Sequence, residues 1–494
     1  MAAEVELCFS GYNSSVEASE VGWPYWSPVT AWAQFACEDH INNTLETMLW
    51  DFDSCAATPE AYGLAGSLPE TPEICSSAVG GVSMECEIPK TADALVATGI
   101  GEGEKGLRLF HLLSAAAEAI FGGDLNRREL ARVILARLKQ LLPPAATTDA
   151  AASLERLVTH FSEALHRLLV DDSDAASANG PIFSLAEATV ASHLLHDMSP
   201  YVNFGHFTAN QAILEAIGSE RRVHIVDFDA VEGAQWPPLM QAMVSRTDGV
   251  PRPSQLKITA LVGRGKKAAA AAQETGRRLS EYAASIGLPF AFVQCRVDRK
   301  GQFQATAVRV VMGDYLVFNC AIHAPYHEHH SASSIGSFLA VAQELGARLV
   351  TVVEEEKERG RDDIFGKVGT FKEELERYCA IWDALETGHA KQGRAREMVE
   401  TLVLGPRIAG TMESLFRQGE EEKVFRWAEW MAARGFERIE LSYFNHWQAK
   451  LLLGLYDEGY QVEEDGPNKL VLGWKSRRLV AASVWSSRPP SPSP

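Results

Sequence analysis

The first half of the chain after residue 105 carries apolar residues at the three- and four-residue spacing of amphipathic helices. The stripes are Leu109, Leu112/Leu113, Ala116 and Ile120; Leu130, Ile134, Leu138 and Leu141; and Leu154, Leu157/Val158, Phe161, Leu165 and Leu168. Pro143-Pro144 and residues 171–181 separate these stretches, and a further helix is predicted over 204–217. The pattern predicts an α-helical cap over residues 106–217.

From residue 218 the pattern changes to short apolar runs that alternate with helical stretches. Strands are predicted at Val223–Phe228, Leu256–Val262, Phe290–Val293, Tyr315–Ala321 and Arg348–Val353, with helices near 236–245, 266–285, 334–345 and 370–386. Such alternation is typical of a parallel sheet covered on both faces. Residues 460–464 and 469–474 flank the turn Asp465-Gly466-Pro467-Asn468, and 479–485 is another strand. We therefore predict a Rossmann-like α/β core over 218–486, mostly parallel with an antiparallel edge.

The N-terminal stretch, residues 1–105, differs from the rest of the chain in its charge. Of 494 residues with net charge −19, residues 1–105 hold 17 acids and only 2 bases. Aromatic and acidic residues alternate there, as in Trp50-Asp51-Phe52-Asp53, and we predict a disordered acidic leader over 1–105 and a disordered tail over 487–494. A solvated tail without a partner and an activation-type segment that recruits the transcription machinery both fit this composition.

Composition also excludes several classes of protein. No run of about 18 apolar residues is present to cross a bilayer, so no membrane role is expected. None of the eight cysteines forms a C-x-x-C pair, which argues against a structural zinc site. The body is nearly neutral and its bases occur as isolated pairs, such as Arg277-Arg278 and Arg477-Arg478, so strong DNA binding by this chain alone is not expected.

The loop after the first strand lacks the features of a cofactor site. A dinucleotide or methyl-donor loop needs closely spaced glycines, yet only Gly233 follows Val223–Asp227, beside the bulky Trp236. The second strand ends Val262-Gly263-Arg264, without the acid that would hold a ribose. We predict no cofactor and no catalytic residue. The alternative is a cryptic enzyme or small-ligand receptor that uses the cleft between 229–236 and 319–330.

Two further strings invite a chemical interpretation. Gly101-Glu102-Gly103-Glu104-Lys105-Gly106 has the spacing of a dinucleotide loop, but its glutamates would repel a pyrophosphate, and we interpret it as a flexible linker. His323-Ala324-Pro325-Tyr326-His327-Glu328-His329-His330 crowds imidazoles together, but its spacing matches no regular metal site. We interpret it as a polar loop at the mouth of the sheet, with no metal.

Several other strings of the chain, described next, together resemble the GRAS family of plant transcriptional regulators over residues 106–486. Val223-His224-Ile225-Val226-Asp227, followed by Gly233, Gln235 and Trp236, is similar to the VHIID motif of that family. Arg396, Glu397, Glu400 and 405–408 resemble the end of the PFYRE region, and 313–345 the second leucine-rich region. The closing SAW region is similar to 427–485, with Trp427, Trp430, Trp474 and Trp485. The strings at 405–410, 445–455, 468–472 and 474–478 are similar to a subgroup that acts in nodulation signalling.

The resemblance implies a methyltransferase-like core without a demonstrated need for the methyl donor. It implies a nuclear regulator that is not an enzyme and that pairs with another GRAS protein, or with itself, through the leucine-rich regions. The partner-binding stripes would then be Leu109, Leu113, Leu130, Ile134, Leu138, Leu154, Phe161, Leu165 and Leu168. For the subgroup it implies symbiotic signalling, in nodulation or mycorrhiza, and control of strigolactone synthesis genes. Promoter DNA would be contacted mainly through the partner, and nuclear import would need that partner or Lys475-Ser476-Arg477-Arg478.

Overall fold

The structure is a computed structural model of the chain. It describes residues 100–122, 125–142, 153–169, 185–228, 233–246, 249, 251–263, 265–298, 301–322, 331–356, 362–389, 393–417, 427–456 and 458–487. The predicted leader, apart from its last residues, and the tail after 487 lie outside the described residues. From Leu109 onward the chain belongs to one compact unit, and the described part of the second unit, 38–108, is the first turns of a helix.

In the described part of the chain, five helices precede strand β1. They are α1 (Ile100–Phe121), α2 (Leu125–Leu141), α3 (Ser153–Arg167), α4 (Leu185–Met198) and α5 (Pro200–Ile217). Helix α5 starts cleanly because Ser199 caps its N-terminus, where the hydroxyl oxygen accepts a hydrogen bond from the Tyr201 amide at 3.2 Å. Pro200 occupies the first position, where no amide hydrogen is needed. Helix α5 is buried along nearly its whole length and forms the base on which the other layers pack.

The remaining elements alternate as the apolar runs predict. They are β1 (Arg222–Asp227), α6 (Trp236–Ser245), β2 (Gln255–Val262), α7 (Lys266–Ser285), β3 (Phe290–Arg296), β4 (Tyr315–Ile322), α8 (Ala332–Glu344), β5 (Leu349–Glu355), α9 (Asp362–Gly388), α10 (Gly393–Val399), α11 (Gly405–Arg417), α12 (Trp427–Ala433), β6 (Glu437–Arg438), α13 (Tyr443–Leu453), β7 (Tyr460–Glu464), β8 (Lys469–Trp474) and β9 (Arg477–Ser486). A short 3₁₀ turn lies at Ala305–Ala307, and a π-helical turn, Glu400–Leu404, joins α10 to α11.

All described strands form one mixed sheet in the order β3-β2-β1-β4-β5-β9-β8-β7, with β6 paired on β9. Strands β3 to β5 are parallel, and β9, β8 and β7 are antiparallel to their neighbours. The inner strands are buried on both faces, which explains why they read as continuous apolar runs. The predicted α/β class, with a mostly parallel sheet, an antiparallel edge and preceding helices, is confirmed.

A cluster of aromatic rings fills one face of the sheet. Phe228, Phe303 and Phe318 each place a ring about Phe338 of α8, with centroids 5.0 to 5.5 Å away. Such tilted and edge-to-face contacts are the favoured geometry of aromatic pairs. Trp427, Met431 and Trp485 belong to the same cluster, so the last strand and α12 share a core with the first strand.

One sequence prediction is wrong. Residues 101–106 do not form a linker, because they lie inside helix α1. Glycine lowers helix propensity by about 1 kcal/mol relative to alanine, and this cost led us to expect a break. Separately, among the described residues no helix is long and apolar enough to cross a membrane.

Two helical glycines differ in what surrounds them, and this difference is testable. A Cβ on Gly276 in α7 would lie 2.4 Å from the Phe292 ring, whereas a Cβ on Gly336 in α8 would have Trp430 at 3.8 Å as its nearest atom. We expect Gly276→Ala to lower the free energy of unfolding by about 1–3 kcal/mol through overpacking. Gly336→Ala, the matched control, should raise it by up to about 1 kcal/mol. Denaturant unfolding measures both; a stabilised Gly276→Ala would contradict the close packing of α7 on β3.

Candidate functional site

The candidate site is the point where the parallel sheet reverses its strand order. Strand β1 lies between β2 and β4 in the sheet. The connection after β1 leads to β2 on one side, whereas the connection after β4 leads to β5 on the other side. In open α/β sheets this crevice, beyond the carboxyl ends of the strands, is where ligands bind. Here the last paired residues of the two strands are Asp227 and Asn319, which lie side by side in register.

The Asp227 carboxylate is held by two neutral donors. Trp236 Nε1 donates to Oδ2 at 3.0 Å, and Asn319 Nδ2 donates to Oδ1 at 2.9 Å. Asp227 is 1% exposed, so the carboxylate is cut off from water. Trp236 is the first residue of α6, and its indole therefore fixes the start of that helix against the end of β1. Asp227 and Trp236, both in the predicted VHIID motif, therefore contact each other directly.

Three more side chains extend this hydrogen-bonded group, which we call the Asp227 network. Gln235 and Asn319 exchange amide hydrogen bonds at 3.0 and 3.2 Å. Asn210 of α5 donates to the Gln235 carbonyl at 2.8 Å, and Thr351 of β5 donates to Asn319 Oδ1 at 2.7 Å. All of these residues are buried. The network joins the helical part, β1, α6, β4 and β5 in one polar cluster.

Gly233, in the loop that leads into α6, packs closely against α7. Gly233 has φ +71°, which an L-residue rarely adopts, and a Cβ there would lie 2.5 Å from Thr275 Cγ2. The glycine thus permits close packing of this loop against α7. In the described part of the crevice, the polar side chains of Asp227, Asn319 and Gln235 hydrogen-bond to one another. Residues 229–232 and 323–330, which complete the predicted cleft, lie outside the described residues.

His224 lies at the opposite, amino half of β1. Its Nε2 lies 2.8 Å from Thr259 Oγ1 and its Nδ1 lies 3.7 Å from Asp314 Oδ2. Burial, helped by the positive charge of Lys257, lowers the pKa of His224 to about 4, and Asp314 opposes this shift. The imidazole is therefore neutral at physiological pH. It is a packed strand residue, away from the Asp227 network.

Sequence reasoning missed a second buried polar group, at the carboxyl end of β5. Arg377 of α9 is fully buried and pairs with Glu355 at 2.6 Å and with Glu374 at 2.8 Å. Tyr201 of α5 donates to the other Glu355 oxygen at 2.8 Å. From sequence alone, a single arginine in a helix is expected at the protein surface. Its burial becomes apparent only from the ion pairs in the folded structure.

A third polar group ties the predicted PFYRE residues to the helical part. Arg156 of α3 binds Glu400 at 3.0 Å and Glu386 at 2.6 Å, and Arg396 binds Glu386 at 3.0 Å. Burial raises the pKa of Glu400, while its hydrogen bond from Arg156 opposes that shift. Glu400 is the first residue of the π-helical turn. Arg396 and Glu400, from the predicted PFYRE region, thus connect α3 with the α9–α11 segment through ion pairs.

The structure divides the predicted leucine stripes between core and surface. Leu109, Leu113, Leu138, Phe161 and Leu165 are at most 1% exposed and pack inside the chain. Ile134, Leu154 and Leu168 are half-buried, and Leu130 is 53% exposed. In α2 the buried stripe runs through Leu135 rather than Ile134. Among the described stripe residues, Leu130 is the most exposed, and it lies near the exposed Val133 on the outer face of α2.

The four SAW tryptophans pack in the hydrophobic core or against it. Trp427, Trp474 and Trp485 are buried, and Trp430 is half-buried beneath the Arg434 guanidinium, 4.6 Å from the ring centre. Trp474 Nε1 donates to Asp383 of α9 at 2.6 Å. The described residues contain no cluster of histidine, cysteine and carboxylate side chains that could hold a metal ion. The histidine-rich string 323–330 lies outside them.

Comparison with known proteins identifies the family. The GRAS domain family matches residues 109–486, and the chain therefore belongs to that family. It is 42% identical to Protein NODULATION SIGNALING PATHWAY 2 of Medicago truncatula, over 97% of this chain and 96% of that protein. The corresponding protein of Lotus japonicus is 47% identical over 77% of this chain and 76% of its own length. The predicted family and nodulation-signalling subgroup are confirmed.

Two further relatives support the same placement. Scarecrow-like protein 26 of Arabidopsis thaliana is 42% identical over 90% of each chain. The crystal structure of SCL7 from Oryza sativa is 29% identical, covers 77% of this chain and 99% of its own, and superposes with a TM-score of 0.57.

The Asp227 network predicts a specific loss of stability. Asp227→Ala would leave Trp236 Nε1 and one of the two hydrogens on Asn319 Nδ2 buried without an acceptor, at about 1–3 kcal/mol each. We expect the variant to lose about 2–5 kcal/mol of unfolding free energy in denaturant titrations. Glu274→Ala, which removes a carboxylate that is 52% exposed and paired with the exposed Arg277, should lose far less. An Asp227→Ala protein as stable as the parent would argue that the carboxylate serves a ligand.

His224 predicts an acid-sensitive contribution to stability. Its folded pKa of about 4 is below the ordinary value of 6.5, so the unfolded chain binds the proton more readily. The neutral imidazole thus contributes stability above pH 6.5 that is lost as the pH falls toward 4, on the order of 3 kcal/mol. We expect His224→Gln to be less stable at pH 7 and to approach the parent at pH 4. Unfolding titrations across that range measure the difference, and a constant gap would contradict it.

Proposed function

We propose that this protein is a nuclear transcriptional regulator of the GRAS type that works in symbiotic signalling, in nodulation and mycorrhiza. It acts as a co-regulator together with a second GRAS protein on promoters that include strigolactone synthesis genes. Family membership over 109–486 supports the regulatory class. Identity above 40% to two proteins named for nodulation signalling supports the pathway.

The observation that carries the non-enzymatic part of this proposal is the Asp227 network. An enzyme of this fold keeps its cofactor pocket at the switch point and places polar groups there toward the ligand. In this chain the polar atoms of Asp227, Asn319 and Gln235 bind one another. The crevice is therefore used to hold elements together, and the protein works by binding partners.

Promoter DNA is reached mainly through the partner, because several arginines of the adjacent basic pairs already bind carboxylates of this chain. Arg277 pairs with Glu274 and Glu281. Arg477 pairs with Glu376, Arg478 contacts Glu356 and Asp465, and Arg222 pairs with Asp314. A base that binds a carboxylate of its own chain contributes little to the release of phosphate counterions.

The same pairing bears on entry into the nucleus. The basic string Lys475-Ser476-Arg477-Arg478 forms the turn into β9 and the start of that strand, and both of its arginines are engaged in ion pairs. An import receptor needs an extended, accessible basic segment. Import together with a partner therefore fits the structure better than import through this string. Recruitment of the transcription machinery is assigned to the acidic leader, residues 1–105.

For the GRAS partner, the accessible part of the predicted leucine-rich surface is the outer face of α2. Leu130 and Val133 are 53% and 66% exposed there, although neighbouring stripe residues are buried. Apolar side chains at the centre of an interface contribute most of its binding energy. We assign the heterodimer contact to this face.

Light scattering and duplex binding test this function together. We expect the full chain alone to give no shift of a strigolactone-gene promoter duplex at concentrations where its mixture with a GRAS partner does. Leu130→Glu should raise the dissociation constant of the heterodimer by about 10-fold or more, because it buries a charge. Met312→Glu, at a side chain that is 99% exposed, is the matched control and should have no effect.

Two outcomes would contradict the proposal. Tight binding of the duplex by this chain alone would make it the DNA reader itself. A thermal shift produced by a nucleotide or a methyl donor would favour the ligand-binding alternative.

A further inference from the structure

The sheet ends in two outer strands, β7 and β3, and these differ in charge. Strand β7 carries Glu463 and Glu464, whose side chains are both more than half exposed. Charged side chains on an edge strand oppose pairing with a further strand. Strand β3 has no charged residue before Arg296, its last residue, and among the described strands it pairs with β2 alone. The β3 edge therefore lacks the protection that β7 has.

The backbone groups that β3 leaves unpaired follow from its register with β2. The Leu256 amide of β2 donates to the Pro289 carbonyl at 2.9 Å. Successive residues of a strand point their backbone groups to opposite sides, so the odd-numbered residues of β3 bond to β2. The even-numbered residues Phe290, Phe292 and Gln294 point their amide and carbonyl groups outward, where no backbone group of the described residues pairs with them. This edge offers main-chain hydrogen bonds to one more strand.

A cavity of about 350 Å³ opens beside this edge, between β3 and α7. It is lined by Phe290, Phe292 and Gln294 from the strand and by Gly276 and Ser280 from the helix, among others. The three strand residues share the face that packs on α7, where a Cβ on Gly276 would meet the Phe292 ring. A strand paired with β3 would place every second side chain over this cavity. The site thus fits an extended segment that is apolar at alternate positions.

The acidic leader contains a segment with this pattern. Residues 4–9 are Glu-Val-Glu-Leu-Cys-Phe, so that Val5, Leu7 and Phe9 fall at every second position and two glutamates lie between and before them. A period of two that includes β-branched and aromatic residues predicts a strand with one apolar face. The pattern therefore matches the occupant that the β3 edge and its cavity require.

Charge selects the β3 edge over the β7 edge for this segment. Like charges opposite one another on neighbouring strands destabilise the pairing. On β7 the glutamates of residues 4–9 would meet Glu463 and Glu464, whereas β3 carries no acid and ends at the exposed Arg296.

The length of chain between the segment and the first described helix permits this contact. About 90 residues separate Phe9 from Ile100, the first residue of α1, and such a length can span up to about 300 Å. A folded domain of about 380 residues has a radius of gyration of about 21 Å. The segment can therefore reach any edge of the sheet in its own chain.

We propose that residues 4–9 add to the β3 edge of the same chain as one more strand and insert their apolar side chains into the cavity beside α7. Main-chain hydrogen bonds to Phe292 and Gln294 hold the segment, and burial of three apolar side chains stabilises it. The acidic leader is thereby held to the folded part at both of its ends. The contact involves one chain only, so it rests neither on a GRAS partner nor on DNA.

Amide hydrogen exchange of the full chain, resolved to single residues, tests this docking. The outward amides of Phe292 and Gln294 should exchange about 10-fold more slowly in the parent than in Leu7→Glu/Phe9→Glu. A segment that is docked nine-tenths of the time leaves these amides open for only about one-tenth of it. The Ala291 amide, which bonds to β2, should exchange alike in both proteins.

A matched leader variant controls for added charge. Leu64→Glu/Leu68→Glu introduces the same two glutamates at leader positions outside residues 4–9. It should leave the slow exchange of Phe292 and Gln294 unchanged.

A pair of variants in α7 tests the contact from the other side. Ser280 lines the cavity and Ser285 does not, yet both are exposed and each donates to a carbonyl of its own helix at 2.7 Å. Ser280→Phe fills the cavity and should speed exchange of the amides of residues 5–9 by about 10-fold. Ser285→Phe should leave them as in the parent. Thermal unfolding verifies that both variants fold like the parent.

Three results would overturn the proposal. Outward amides of β3 that exchange in the parent as fast as those of an unfolded chain leave this edge open. Slow exchange that persists in Leu7→Glu/Phe9→Glu assigns the edge to another occupant. Exchange that slows as the protein concentration rises assigns it to a second chain. The duplex-binding test of the proposed function is independent of all three.

Discussion

The buried carboxylate of Asp227 is the constraint on which the rest of the structure depends. A charge without water must be met by donors, and here they come from α6 and β4. Asn319 and Gln235 in turn need partners, which β5 and α5 supply. Satisfying one carboxylate thus fixes the relative positions of five elements. Replacement of one member removes a hydrogen bond from a buried neighbour, so these five elements are coupled through the crevice of the Rossmann-like sheet.

The sheet could be predicted from sequence because its strands are buried on both faces. Continuous apolar runs gave every strand longer than two residues, and helices α6 and α7 were predicted with their observed ends. Partners of Asp227 could not be predicted, because Asn210 and Thr351 lie far from it along the chain and meet it only in the folded sheet.

The elements that sequence reasoning missed share one physical cause. Helices α10, α11 and α13 bury polar or charged residues, such as Arg396, Arg407 and Asn445, toward the core. Periodicity assigns polar residues to the surface, so it places these helices with the wrong face inward or does not detect them. For a related reason, the predicted leucine stripe of α2 is one residue out of register with the buried face of that helix. Leu130 matches the helical spacing but is exposed, whereas Leu135 is buried.

Strand β9 has a consequence for how the chain is synthesised. It lies between β5 and β8 and pairs Val484 with Thr351, yet it is the last strand to leave the ribosome. Until it arrives, the edge of β5 is an open template for pairing with other chains. The β5 edge of the parallel half of the sheet therefore stays exposed until β9, far downstream in the sequence, has been synthesised and pairs with it. Through that interval the open edge of β5 makes nascent chains prone to aggregation.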